Sequence, residues 1–456
     1  MTTHVRCGCL FTGDASPVRD NATIGIGDNG SIACVCDTAD APPIAAHDSV
    51  LDYSKLFVMP GLIDVHTHLA YGNAKSEEDI DLYQPMEFRS LRALFFAQKV
   101  VAAGYTSICA PGDAGQISLS VRDAINFGLF DGPRVTAAGR YLTTRQGLTD
   151  WYPTWIGVPD TSIGRLVTSK DEAIEEIRVQ AKNGVDCIKL ALDGIQTRPN
   201  GELIAAFTQD ETTTMVTEAH RLGRKVVAHA RGKEAVFYAA RAGVDLIFHA
   251  TFLDDECIDA MLTSGSALGP TMTFQRNIID FTQPHEPAAQ KGRPAHVERE
   301  YAIACENMHK ARKAGVPMMT GTDSGFAVTP YGEWHARELE IFVRDLGFTP
   351  AEALRCATSI AARFVNHGDS VGVLAPGAFA DFIAVDGSPL ENIAVLQDKG
   401  RIRHVHIGGK RMQIPDRSYD PRQVTDRSMT NWTDVYTQDR VRALYPARPV
   451  LAAAAE

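Results

Sequence analysis

The pattern of apolar and polar positions changes twice along the chain. From about Val5 to Phe57 short alternating runs such as VRCGCLF and TIGIGDNGSIACVC are separated by Asp-Asn-Gly and Pro-rich turns, which predicts strands and turns throughout. After Val58 apolar runs alternate with amphipathic stretches that carry helix caps, the pattern of repeated βα units. Ser169 with Glu172 predicts a capping box, with Gly184 as the stop; Thr208 with Glu211, and Thr349 with Glu352 behind Pro350, repeat the device. Beyond Phe364 the strand pattern returns in VGVLAPGAFADFIAV and RIRHVHIGGKRM.

Between the helices the predicted strands are Gly61–Val65, Tyr105–Cys109, Arg134–Ala138, Asp186–Leu190, Lys225–Ala228, Val244–Phe248, Ala267–Thr271 and Pro317–Gly321. Eight is the number a closed parallel barrel requires. The expected fold is therefore α/β: a (β/α)8 TIM-like barrel over residues 58–366, with a small β-sandwich assembled from both chain ends, 1–57 plus 367–414. Residues 415–456 read as a C-terminal extension that wraps the surface or a partner subunit. A length of 456 residues suits this plan, since barrels alone run to roughly 250 residues.

Composition narrows the class. Hydrophobic residues at 45% and charged residues at 22% supply an ordinary globular core, so disorder is not expected. A net charge of -11 without a basic patch argues against nucleic acid or anionic membrane as partner. The opening MTTHVRCGCLFTG lacks the apolar run of a signal peptide or membrane span, so a cytoplasmic protein, self-associating as a homo-oligomer, is expected. Nine dispersed cysteines fit reduced thiols. The pairs Cys7/Cys9 and Cys34/Cys36 suit a tetrahedral zinc site or, as the better reading, the inner side of strands.

Barrel active sites lie at the C-terminal ends of the strands. Five of the predicted strands end on metal-binding residue types: His66 and His68 after LID, Lys189 after CI, His229 after VVA, His249 after LIF, and Asp323 after MMTGT. One such histidine is more often a hydrogen-bonded core residue, but five in one chain outweigh that reading. Imidazoles with a carboxylate suit Zn²⁺, Mn²⁺, Fe²⁺ or Co²⁺. The alternative for Lys189 is a buried ion pair with Asp193 or Asp210.

The runs VMPGLIDVHTHL and GVLAPGAFADFIAVDGSPLENI, with DCIKLALDG, VVAHARG, GVDLIFHA and GTDSG between them, resemble the amidohydrolase superfamily from about Leu51 to Gly409. The resemblance implies one or two divalent ions, zinc foremost. His66 and His68 would bind the more buried metal and His229 and His249 the second. Lys189, carboxylated by CO₂, would bridge the two, and Asp323 would be both ligand and catalytic proton carrier. A buried lysine with a lowered pKa can take up CO₂ as the neutral amine. Hydrolysis of a carbon–nitrogen bond by metal-activated hydroxide is the implied reaction.

The branch resembled includes imidazolonepropionase-like enzymes, Xaa-Pro dipeptidases, ochratoxin-type amidases and phenylurea hydrolases. Many of these relatives carry a Gly-Gly-His-Gly loop after the third strand, where this chain has Leu148 in place of the histidine, and many carry a second histidine where it has Arg231. With Trp151, Tyr152 and Trp155 nearby, an aromatic small-molecule substrate is expected, a phenylurea, carbamate or anilide first. Arg231 and Tyr331 are expected in the pocket; Trp334 and His335 lie in the same strand-end region. A dipeptidase or N-acyl amino acid amidase is the alternative, with Arg231 or Arg145 receiving the carboxylate. A non-catalytic relative is the reading of another class, set against the presence of every expected ligand. His404 and His406 read as surface strand residues and His220 as facing solvent or the barrel wall.

Overall fold

A computed structural model describes residues 2–413, Asp420, Gln423, Trp432 and 434–445; most of the predicted extension lies outside the described residues. Seven of the eight predicted runs form parallel strands: Leu62–Asp64, Tyr105–Ala110, Arg134–Ala137, Cys187–Ala191, Lys225–Ala230, Leu246–His249 and Ala267–Gly269. They are apolar and buried along almost their whole length, as strands covered on both faces must be. The third and fourth meet at an isolated bridge, Ala138 with Cys187, and by a hydrogen bond from Asp186 N to Ala137 O of 2.8 Å.

The eighth run, Pro317–Gly321, is not a regular strand. It is fixed by hydrogen bonds on both sides, from Leu268 N to Pro317 O and from Met319 N to Leu268 O, each 2.9 Å, and from Val65 N to Thr320 O at 3.0 Å. Pro317 has no N–H to donate, and Gly321 passes so close to the first strand that an added Cβ would stand 2.8 Å from that of His66. Both features shorten regular pairing.

The terminal segments share a single seven-stranded sheet where a sandwich was expected. Thr3–Leu10, Arg19–Ile26, Ile32–Asp37 and Ser49–Pro60 from the first end pair with Phe382–Val385, Ile402–Ile407 and Lys410–Arg411 from the other. The 12-residue strand Ser49–Pro60 continues through Gly61 into Leu62, so this sheet is joined directly to the first of the parallel strands. A second tie is the fork of Arg134 on Asp381, 2.6 and 3.0 Å, with the carboxylate almost wholly buried and also accepting from Gly408 N. Cys7 is buried in the core of this sheet, and burial raises its thiol pKa to about 12; Cys9, Cys34 and Cys36 are partly exposed.

Two of the three predicted capping boxes form, at Thr208 with Glu211 and Thr349 with Glu352. At the third, Ser169 caps Glu172 N, but the Glu172 carboxylate turns to Thr168, one residue further out. His406 corrects the surface reading of the second His-x-His pair. It is buried, stacked on Phe382 at 4.3 Å and hydrogen-bonded to Tyr53 Oη at 3.0 Å, while the half-buried His404 stacks on Tyr53. His220 is partly exposed, 2.9 Å from Asp245.

Candidate metal centre

The predicted ligands converge where their strands end. His66, His68, Lys189, His229, His249 and Asp323 all line one cavity of about 440 Å³. The chain leaves regular geometry to bring them there: His249 (φ 71°), Ala250 (45°), Thr271 (52°) and Asp323 (55°) are all left-handed, a strain that collects at functional sites. The turn after Asp323 depends on Gly325, at φ 130°, where a Cβ would meet His68 O at 2.8 Å and Tyr331 Oη at 2.9 Å.

Three donor atoms stand in mutual contact. His66 Nε2 is 3.1 Å from His68 Nε2; Asp323 Oδ1 is 3.2 Å from His68 Nε2 and 3.5 Å from His66 Nε2. Donors about 2.0–2.1 Å from a tetrahedral ion are separated by roughly 3.3 Å, so the three edges fit one metal polyhedron. Ring orientation agrees. His68 Nδ1 lies 2.7 Å from Gly112 O, which only accepts; the proton is therefore on Nδ1, and the Nε2 lone pair faces the other donors. His249 Nδ1 is 2.5 Å from Thr271 Oγ1, and its buried Nε2 has no hydrogen-bond partner among the described residues. His66, His249 and Asp323 by themselves place three ligand atoms within 4.8 Å of one another.

Electrostatics favour the ligand forms. Burial, and then the neighbouring Lys189 and histidines, hold His66 and His249 well below the usual imidazole range, leaving them neutral. Burial also lowers Lys189 to about 7, against the opposing pull of Asp323. Its Nζ sits 4.2 Å over the Phe248 ring, and among the described residues it makes no ion pair. The alternative partners are engaged elsewhere: Asp210 with Lys170, and the fully buried Asp193 with His229 Nε2 at 3.2 Å and with the backbone N–H of Arg231 and Gly232, each at 2.7 Å.

The weaker assignments divide. Trp151, Tyr152, Leu148 and Arg231 line the cavity. Tyr331 does not: it is buried behind the first strand end, donating its hydroxyl to His68 O, because the Gly332 turn carries it away from the opening. Trp155 is 84% exposed, and Arg145 is also on the surface. Trp334 is core, donating to Tyr436 O, and His335 is buried against Asp64. The cavity also holds Tyr71, Tyr141, Phe274, Phe326, Arg293, Glu300 and Trp432. Tyr71, Tyr141 and Phe274 follow strand ends and were open to detection by that rule. Arg293 and Trp432 carry no such signal, and Trp432 brings the predicted extension into the site.

The amidohydrolase family matches residues 57–412. Ochratoxinase from Aspergillus niger is 29% identical over 432 residues, covering 91% of this chain and 87% of that protein. A solved Xaa-Pro dipeptidase with methionine in its active site superposes at a TM-score of 0.79 and 27% identity, over 91% of this chain and all of that one. Phenylurea hydrolase B superposes at 0.72 with 20% identity, over 91% of this chain and 97% of that one, a likeness of fold alone.

Proposed function

Because this chain belongs to the amidohydrolase family, we propose that it is a metal-dependent hydrolase of the carbon–nitrogen bond in an aromatic amide-type substrate: an amide, anilide, urea or carbamate. The observation that carries this reading is the contact of His66, His68 and Asp323 donor atoms at the floor of a cavity walled by Tyr71, Tyr141, Trp151, Tyr152 and Phe274. Aromatic walls of this size take an aromatic group by area burial and stacking. We read the eight parallel runs as one barrel and the shared terminal sheet as its second domain.

Zinc is the proposed ion, with iron, manganese or cobalt chemically compatible. His66, His68 and Asp323 would hold one ion, and His229 and His249 a second, with a carboxylated Lys189 between them. Such ions supply Lewis acidity and ionise water near neutral pH. The chain's own groups do the rest. Asp323, at the mouth of its strand and still 15% exposed, takes a proton from the attacking water and passes it to the leaving nitrogen. Water oxygen bonds to the carbonyl carbon as the carbon–nitrogen bond breaks, giving an acid and a protonated amine. Asp193 Oδ1 stands 3.2 Å from His229 Nε2, so Nδ1 is the ring nitrogen assigned to a ligand role.

The test is a product screen of zinc-loaded protein against aromatic amides, ureas, carbamates and Xaa-Pro dipeptides, with metal analysis of protein purified without added ions. Release of an aromatic acid or amine, abolished by chelation, is expected. Absence of turnover across all four classes in metal-replete protein would sink the reading.

A further inference from the structure

The cavity contains two guanidinium groups with different surroundings. Arg231 Nη2 is 2.5 Å from Glu300 Oε2, and the other oxygen of Glu300 is 3.3 Å from His296 Nε2. Arg231 is therefore neutralised. Arg293, the first residue of the helix Arg293–Ala314, lines the same cavity and forms no hydrogen bond or ion pair among the described residues. Its guanidinium carbon lies 5.2 Å from the ring centroid of Trp432, itself buried and edge-on to Phe274.

A half-buried cation without an anion is costly. The cation–π contact with the indole offsets part of that cost, while the guanidinium N–H groups, without a hydrogen-bond partner among the described residues, stay available for a planar, bidentate anion. A carboxylate matches that fork. We propose that Arg293 receives a carboxylate of the substrate, so that the amine released is an amino acid or similar acid and not a neutral amine. This rests on the amide-type hydrolysis proposed above and narrows it to N-acyl amino acids. The charges in the cavity support the choice: Arg231, the other candidate cation, is already satisfied, and Arg145 is outside. Glu77 is a competing anion for Arg293: it lines the same cavity and its charge favours the guanidinium, and the Tyr152 hydroxyl donates to its carbonyl at 3.5 Å.

The experiment compares N-benzoyl-phenylalanine with its neutral carboxamide in zinc-loaded protein. Wild type is expected to prefer the acid by tenfold or more in kcat/KM. Arg293→Met lowers kcat/KM for the acid by about 10- to 100-fold through KM and changes the carboxamide less than twofold. Arg293→Lys restores part of the loss, and Glu77→Gln, removing a competing anion, raises kcat/KM for the acid. Equal losses on both substrates, or a Glu77→Gln loss that matches Arg293→Met, overturns the assignment in favour of an Arg293–Glu77 pair. Calorimetric binding of 3-phenylpropanoate provides a readout without turnover: Arg293→Met weakens it about tenfold, and unchanged binding also overturns the assignment. Failure to cleave any amide defeats the hydrolysis reading instead, while this binding measurement still decides Arg293.

Discussion

Asp64 Oδ2 lies 2.6 Å from His335 Nδ1, with both side chains fully buried behind the candidate ligands. The same carboxylate accepts from the backbone N–H of His66 at 2.9 Å, from that of Thr322 at 3.2 Å and from Thr322 Oγ1 at 2.5 Å. It thereby joins the strand end that carries His66 to the loop that carries Asp323. Asp64→Asn removes the charge opposite His335 and one acceptor. The expected result is a loss of about 3–5 kcal/mol of stability and about 10- to 100-fold in metal affinity. Thermal unfolding and metal content after dialysis read the two effects.

Asp323→Asn keeps an isosteric side chain on the same left-handed residue. The fold is expected to survive with an unchanged circular dichroism spectrum, while turnover falls by at least about 10²- to 10⁴-fold through loss of the proton carrier. Near wild-type kcat at full metal occupancy rules out the assigned role.

Lys189 is buried, without an ionic partner among the described residues, and lowered to about 7, so a substantial share of it is the neutral amine at neutral pH. If its carbamate bridges two ions, Lys189→Ala binds fewer equivalents of zinc, and wild-type protein reconstituted in bicarbonate-free buffer regains metal more slowly than with bicarbonate. Full zinc occupancy and full activity in Lys189→Ala contradict the bridge.

His406 is held down to about 4, chiefly by burial. Because its folded value lies below the unfolded value of about 6.5, the unfolded state binds more protons between the two. Its contribution, roughly 3 kcal/mol, is present above pH 6.5 and is lost as the pH falls through 4. Chemical denaturation from pH 7.5 to 4 is expected to show a stability decline that His406→Gln flattens in this window. The variant loses the Phe382 stack at every pH, which lowers the curve without restoring the slope.

The sequence alone determined the order of strands and helices, because the periods of apolar residues and the caps at Thr208 and Thr349 are local properties of the chain. It also singled out residues that the fold gathers around one cavity, since a residue at a strand end is placed by the strand itself. It could not determine which loop side chains turn inward. Tyr331 and His335 lie in the right region by sequence, yet a turn and the buried carboxylate of Asp64 draw them behind the ligands. Arg293 and Trp432 meet across 139 positions of sequence, and no local pattern records such a contact. Only the tertiary structure decided which guanidinium is satisfied and which is left facing the cavity, because pairing depends on distances between elements that the chain brings together only on folding.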